Sequence, residues 1–272
     1  MIKSINVLGT PIKQVKKEQF LFTVKETIKQ QQKLQVATIN AEFLVKAQND
    51  QAFFEILQSS FNITDSIAIM WAAFFLKITS SKYLFLRVLL KIILFLPTII
   101  LIPIGVLLYR VIPERLAGAD IFWDLIEMAE KYQYKVFLLG AGEGVAQKTK
   151  LILEKKYSRL KIVGAEMGDN LTAEKLREKI KNSQANLLFV AYGAPKQEKW
   201  IKENLSQLNN GVVAIGVGGT FDFVSGQIKR APVWVRKIGF EWLYRLIQEP
   251  KKRFKRIVVA VFIFPWLVLI KG

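Results

Sequence analysis

The chain contains no histidine and no cysteine. Proton transfer must therefore fall to Asp, Glu, Lys or Tyr. Thiolate nucleophiles, disulfides, His-activated nucleophiles and His or Cys metal sites are excluded. Three short stretches have residue types and spacing suited to chemistry at phosphates and hydroxyls. In 193-GAPKQE-198, Gly193 and Pro195 end an apolar run, and Lys196, Gln197 and Glu198 open a helical pattern. In 216-GVGGTFD-222, Gly216, Gly218 and Gly219 can bring backbone N–H groups to a phosphate. Thr220 there can donate a hydrogen bond, and Asp222 can hold a ribose hydroxyl. In 140-GAGEG-144, Gly140 and Gly142 can serve a phosphate at a helix N-terminus, although G-x-G-x-G is not the dinucleotide spacing G-x-G-x-x-G. Each stretch also has a purely structural reading: a solvated turn, a Gly-rich bend with Asp222 as a cap, and a tight turn that aids helix–sheet packing.

Two earlier segments add polar groups at the ends of apolar runs. Thr38 and Asn40 stand in 37-ATINAEFL-44, and Asp65 is the lone charged residue in the otherwise mostly apolar 63-ITDSIAI-69. An isolated Asp at a turn is most often a cap. Asp65 is also the early carboxylate placed where a base at a cleft edge can act. The sequence has no D-x-D, so a bound diphosphate would be neutralised by Arg and Lys rather than through that metal-bridging motif.

These residues need a scaffold that gathers strand ends. The pattern predicts strands over Ile5–Leu8, Leu34–Ile39, Tyr134–Leu139, Lys161–Ala165, Leu187–Val190 and Val212–Val217. It predicts helices over Glu18–Gln32, Ala119–Lys131, Gly144–Lys156, Ala173–Asn182 and Lys196–Leu208, and a further helix after Asn40. Ile67–Phe75 fits either type. Strands alternating with helices of this length imply an α/β fold: a Rossmann-like, mostly parallel sheet with helices on both faces. The strand ends after Leu139, Val190 and Val217 should then share one edge, where open α/β sheets bind ligands.

Two segments sit apart from this scheme. Residues 92–109 are uncharged, with Lys82, Arg87 and Lys91 before them and Arg110 and Arg115 after. A single span would put the two halves of the sheet on opposite sides of a bilayer. The segment is therefore expected as a re-entrant hairpin broken near Pro97–Pro103, each arm roughly 14–20 Å long; a buried core helix is the other reading. Residues 257–270 form a second apolar run, interrupted by Pro265, after a stretch (229–256) with ten Lys or Arg and two Glu. That pattern reads as a membrane-surface element, with Trp234, Trp242, Tyr244 and Trp266 suited to the interface, or as a basic helix docked on the domain. The net charge of +18 calls for an anionic partner. No signal peptide is evident, and no nucleic-acid-binding motif accompanies the charge.

Together the motifs resemble the WecG/TagA/CpsF glycosyltransferase family. They are T-x-N-A-E at Thr38–Glu42, G-A-P-K-Q-E-x-W at Gly193–Trp200, G-V-G-G-T-F-D at Gly216–Asp222, K-R-A-P at Lys229–Pro232 and E-W-L-Y-R-L at Glu241–Leu246. The resemblance covers the chain apart from the apolar insertion and the last fifteen residues. It implies inverting transfer of an N-acetylmannosamine-type sugar from a UDP-sugar donor to a polyprenyl-diphosphate-linked N-acetylglucosamine acceptor, without a metal or other cofactor. The partners are then those two substrates and membrane lipids at the cytoplasmic face, with no nucleic acid, and the resemblance hints at a homo-oligomer. It makes Asp65 the general base, and places Thr38, Asn40 and Gln197 in the catalytic pocket with Arg115 a basic residue beside it. Gly193, Pro195, Lys196, Glu198 and Arg230 fall in its binding motifs. Arg245, Arg253 and Arg256 belong to a C-terminal appendage that closes over the diphosphate.

Two departures stand out. The family pattern Asp-Gly-x-Gly is Asp65-Ser66-Ile67-Ala68 here, which would crowd the donor pocket, and a catalytically inactive binding relative is the alternative this leaves open. The insertion lies between Asp65 and Arg115. The expected organisation is a glycosyltransferase domain over 1–228, with a membrane-associated insertion at about 83–112, and a basic, membrane-associated appendage over 229–272.

Overall fold

The computed structural model describes residues 2–64, 66–100, 110–168, 172–232, 235 and 241–272, with the backbone alone for Ile100, Arg245 and Lys252. Its centre is a six-stranded, all-parallel sheet in the order β4-β3-β8-β7-β5-β6. The strands are β3 (Lys33–Ile39), β4 (Phe61–Thr64), β5 (Lys135–Gly140), β6 (Lys161–Glu166), β7 (Leu187–Ala191) and β8 (Val212–Gly216). A separate antiparallel hairpin, β1 (Ser4–Val7) and β2 (Thr10–Lys13), precedes it. The expected first strand, Ile5–Leu8, ends at Val7; the chain turns on Leu8-Gly9, and Thr10 and Pro11 pair with Val7 and Asn6.

Every residue of β7 and of β8 is buried. Neither strand alternates apolar with polar, because helices cover both faces of the sheet. On one face, α1 (Lys17–Lys29), α6 (Gly118–Tyr132), α7 (Val145–Lys156) and the short α10 (Thr220–Val224) pack Phe20, Phe122, Leu153 and Phe221 against Val36, Leu138, Phe189 and Ile215. On the other, α8 (Ala173–Ser183) and α9 (Lys196–Leu205) lie over Phe137, Leu188 and Val190. Beside them, α2 (Ala41–Ala47), α3 (Gln51–Ser59) and α4 (Ile67–Ile78) cover Ala37 and Ile39. The ambiguous run after Asp65 is helical because Ser66 caps it, its Oγ accepting from the Ile69 amide at 3.4 Å.

The insertion forms α5 (Leu84–Ile100), a helix that runs through Pro97 rather than breaking there. The rest of the expected hairpin, residues 101–109, lies outside the described residues. Among the described residues no helix is long and apolar enough to cross a membrane. The C-terminal stretch forms α11 (Glu241–Gln248), α12 (Pro250–Val258), a π-helical turn (Val259–Ile263) and α13 (Phe264–Lys271). The apolar run docks on the domain. Phe264 and Val268 are fully buried, in one cluster with Phe43, Trp71 and Phe75.

Candidate functional site

The parallel registers set the strand ends side by side. Ile39 pairs with Thr64, Ala37 and Val190 each with Gly216, and Gly140 with Ala191. One edge therefore carries Asn40, the Gly193–Glu198 turn, the Gly216–Thr220 turn and the Gly140–Gly144 turn.

Gln197 organises this edge. Its Oε1 accepts from the amides of both Gly193 and Gly218, each at 3.1 Å, so one side chain clamps the loops after β7 and β8 together. Its Nε2 donates to Glu198 Oε1 at 2.6 Å. Glu198 is fully buried, its Oε2 has no hydrogen-bond partner among the described residues, and burial pushes its carboxyl up to about 7. Gly216 is required beside this pair, because a Cβ there would overlap both the Gln197 amide and the Glu198 carboxylate. Thr38 joins the same cluster by donating from Oγ1 to the Gly216 carbonyl at 2.9 Å.

Other expected site residues are placed with varied duties. Asn40 caps α2, its Oδ1 accepting from Phe43 N at 3.2 Å, and its Nδ2 has no partner among the described residues. Thr220 was expected to donate to a ligand. Its hydroxyl instead donates to the Val217 carbonyl at 2.7 Å and is buried, because that bond closes the tight turn into α10. Gly140 takes φ +101° where a Cβ would press on the Ala191 backbone, so packing of β5 against β7 accounts for it. Gly142 begins the turn into α7, its carbonyl accepting from Val145 N. Lys196 is exposed, its ammonium 5.0 Å from the Tyr192 ring centre. The Ala194-Pro195 peptide is cis. Asp65 lies outside the described residues. Its surroundings do not: Leu116 N donates to the Thr64 carbonyl at 2.9 Å, which brings neighbouring Arg115 to the end of β4.

The C-terminal segment supplies the cations. A cleft of about 500 Å³ opens between Gly219, Asp222 and Ile228 on one side and Glu249, Lys251, Arg253, Lys255 and Arg256 on the other. Arg253 makes two bonds to Glu249 Oε2, at 3.0 and 3.2 Å. Arg256 pairs with Glu42 at 3.1 Å, and Arg230 with Asp120 at 2.7 Å. The side chain of Arg245 is outside the described atoms. Sequence reasoning noted Glu42 only as the last residue of the T-x-N-A-E motif and passed over Lys46, yet the two link the arm to the site. Glu42 also holds Lys46 at 3.0 Å, and Lys46 donates to the Ala194 carbonyl at 3.3 Å. A chain of contacts thus runs from the arm to the turn that carries Gln197. The i,i+4 spacing of Glu42 and Lys46 was the available signal. Among the described residues no group of three acidic side chains is placed to hold a metal ion.

A doubly covered parallel sheet, with polar turns gathered at its carboxyl edge and an arginine-bearing arm beside them, defines an α/β protein with its candidate ligand site at that edge. Comparison with known proteins sharpens this. The chain belongs to the WecG/TagA/CpsF glycosyl transferase family, whose model matches residues 5–88 and 92–272. It is a glycosyltransferase. The match runs through the apolar segment and to residue 272, further than the motifs alone reach. A similar protein from Bacillus subtilis (strain 168) is 30% identical over 224 residues, covering 82% of this chain and 74% of its own length. One from Staphylococcus aureus (strain MW2) is 25% identical over 230 residues, covering 84% and 78%. Both are named N-acetylglucosaminyldiphosphoundecaprenol N-acetyl-beta-D-mannosaminyltransferase.

Proposed function

We propose that this chain transfers an N-acetylmannosamine-type sugar from a UDP donor to a polyprenyl-diphosphate-linked N-acetylglucosamine at the cytoplasmic face of a membrane, in cell-surface polysaccharide synthesis. The observation that carries the reading beyond the family is the cleft between the Gly218-Gly219 turn and the arm, with an acidic residue, Asp222, on one wall and Arg253 and Arg256 on the other. The relatives' names support the sugar and the acceptor.

In the proposed reaction the acceptor hydroxyl oxygen bonds to the anomeric carbon from the face opposite UDP. The bond from that carbon to the UDP oxygen breaks, and the hydroxyl proton passes to Asp65. The configuration inverts. Arg115, Arg230, Arg245, Arg253 and Arg256, with Lys196, offset the charge that develops on departing UDP, without a metal. Asp222 binds the ribose. Thr38, Asn40 and Gln197 line the pocket, with Gln197 fixing the distance between the Gly193 and Gly218 loops. Each arm arginine described here is paired with a carboxylate, so diphosphate binding would exchange carboxylate for phosphate oxygens.

The test is UDP release by purified, detergent-solubilised protein, offered a panel of UDP-sugars and a short-chain polyprenyl-diphosphate-N-acetylglucosamine, with EDTA throughout. Acceptor-dependent release from one donor, unchanged by EDTA, is expected. UDP binding without release from any donor would instead favour an inactive binding relative, the alternative raised by Ser66 and Ala68 in place of the usual glycines.

A further inference from the structure

The insertion and the C-terminal tail meet in space. Helices α5 and α13 both pack on α4, and they touch each other. Their inner faces are accounted for. Trp71 Nε1 of α4 donates to Thr98 Oγ1 of α5 at 3.2 Å, Phe95 stands edge-on to Trp71 and Phe75, and Phe264 and Val268 of α13 fill the same cluster. Lys91 of α5 also bonds to the Gly272 carbonyl. Their outer faces are apolar as well. Phe85 is 80% exposed, Ile92 and Leu96 about two-thirds, and on the tail Phe262 is 67% and Trp266 57% exposed. A helix that is apolar on the face away from its core needs a non-aqueous neighbour.

The charges say which neighbour. There is no Asp or Glu anywhere in residues 66–113 or 250–272, while Lys77, Lys82, Arg87, Lys91 and Lys271 lie within them. An apolar surface with cations and no anions is complementary to an anionic lipid headgroup layer over acyl chains. A second copy of the chain would bring the same positive charge to the contact.

The geometry points to α5 and the tail from Val259 to Lys271 forming one composite surface that beds in the plane of an anionic phospholipid bilayer, with neither segment crossing it. This deepens the membrane part of the proposed function and requires nothing of the transfer chemistry. The arm leading to the tail is tied to the start of α2 through Arg256 and Glu42, and the end of the tail to the end of α2 through Lys271 and Gln48. The bedded surface therefore flanks the catalytic edge.

The test uses the full chain in vesicle flotation, comparing phosphatidylcholine vesicles with vesicles containing phosphatidylglycerol. The unaltered protein should prefer the anionic vesicles. Phe85→Glu with Ile92→Glu on α5, and separately Phe262→Glu with Trp266→Glu on the tail, should each weaken binding by roughly tenfold or more, since each pair removes apolar area and adds repelled charge. Thermal unfolding and UDP binding should stay at the level of the unaltered protein, because none of these side chains is in the core or the cleft. Binding unaffected by the α5 pair would overturn the composite surface, leaving the tail alone as the anchor. A dimer in solution that either pair dissociates, with flotation unchanged, would assign the face to a second copy. Neither readout needs a turnover, so loss of the transferase reading would leave the inference standing, and the converse.

Discussion

At the scale of residues, the site has a well-defined clamp at Gln197 and a proposed base, Asp65, that lies outside the described residues. Asp65→Asn should retain UDP binding and lower turnover by roughly a hundredfold or more, the range for removing a general base; normal turnover would dismiss Asp65 from that role. The clamp makes a separate, pH-dependent prediction. Burial raises the Glu198 carboxyl from 4.5 to about 7 in the folded chain. A raised carboxyl favours the folded state's proton, so ionisation in the unfolded chain lowers stability progressively as pH climbs from about 4.5 to 7, and the cost levels off above that. Glu198→Gln keeps an acceptor for Gln197 but cannot ionise. Its stability relative to the unaltered chain should improve over that window, by on the order of 3 kcal/mol at most. Urea unfolding at several pH values measures this, and parallel curves for the two proteins would contradict it. Much of this was readable beforehand: Lys196, Gln197 and Glu198 were placed at a strand-to-helix junction by spacing alone. What could not be read was that Gln197 holds both loops, because its partners are backbone amides, which leave no mark in a sequence. Thr220 misled for the same reason, its partner being the Val217 carbonyl.

At the scale of elements, burial on both faces made β7 and β8 legible as unbroken apolar runs. The hairpin's second strand was not, because Thr10-Pro11-Ile12-Lys13 is four residues long and opens on turn-like residues. Nor were α3 and β4. The C-terminal tail shows a deeper limit. An apolar run of fourteen residues satisfies a bilayer or a protein core equally well, and hydropathy does not say which face goes where. The structure divides it by face, with Phe264 and Val268 inward and Phe262 and Trp266 outward. Arm and plug can therefore be separated by mutation. Phe264→Ala should destabilise the fold by about 3–5 kcal/mol, as expected for a fully buried Phe. Arg253→Ala with Arg256→Ala should leave the melting temperature within a few degrees while lowering affinity for UDP. If the double variant binds UDP as the unaltered chain does, the arm has no part in diphosphate recognition. Deleting 229–272 outright would confound the two effects, since it uncovers Trp71 and Phe75.

At the scale of the whole molecule, the charge of +18 and the apolar faces act on one partner rather than two. Coulombic attraction to anionic lipid is screened within about 10 Å at 0.1 M salt, whereas apolar burial is not. Vesicle binding should accordingly fall several-fold between 0.05 and 0.5 M salt and then persist, and excess duplex DNA should not displace the protein. Complete loss at 0.5 M salt would mean that charge alone holds it there. The fold class and the shared strand edge were legible at this scale because alternation of strands and helices is a property of the entire chain; the meeting of α5 with α13 was not, since it joins segments far apart in sequence. That separation has a cost during synthesis. Trp71 and Phe75 leave the ribosome roughly 190 residues before Phe264 and Val268, an interval of about ten to forty seconds at usual elongation rates. Throughout it the part of the aromatic cluster that Phe264 and Val268 will cover is left open, with α5, made early, packed beside it through Phe95, and the outer face of α5 is on hand to carry that cluster to a lipid leaflet before the protein that will work there is complete.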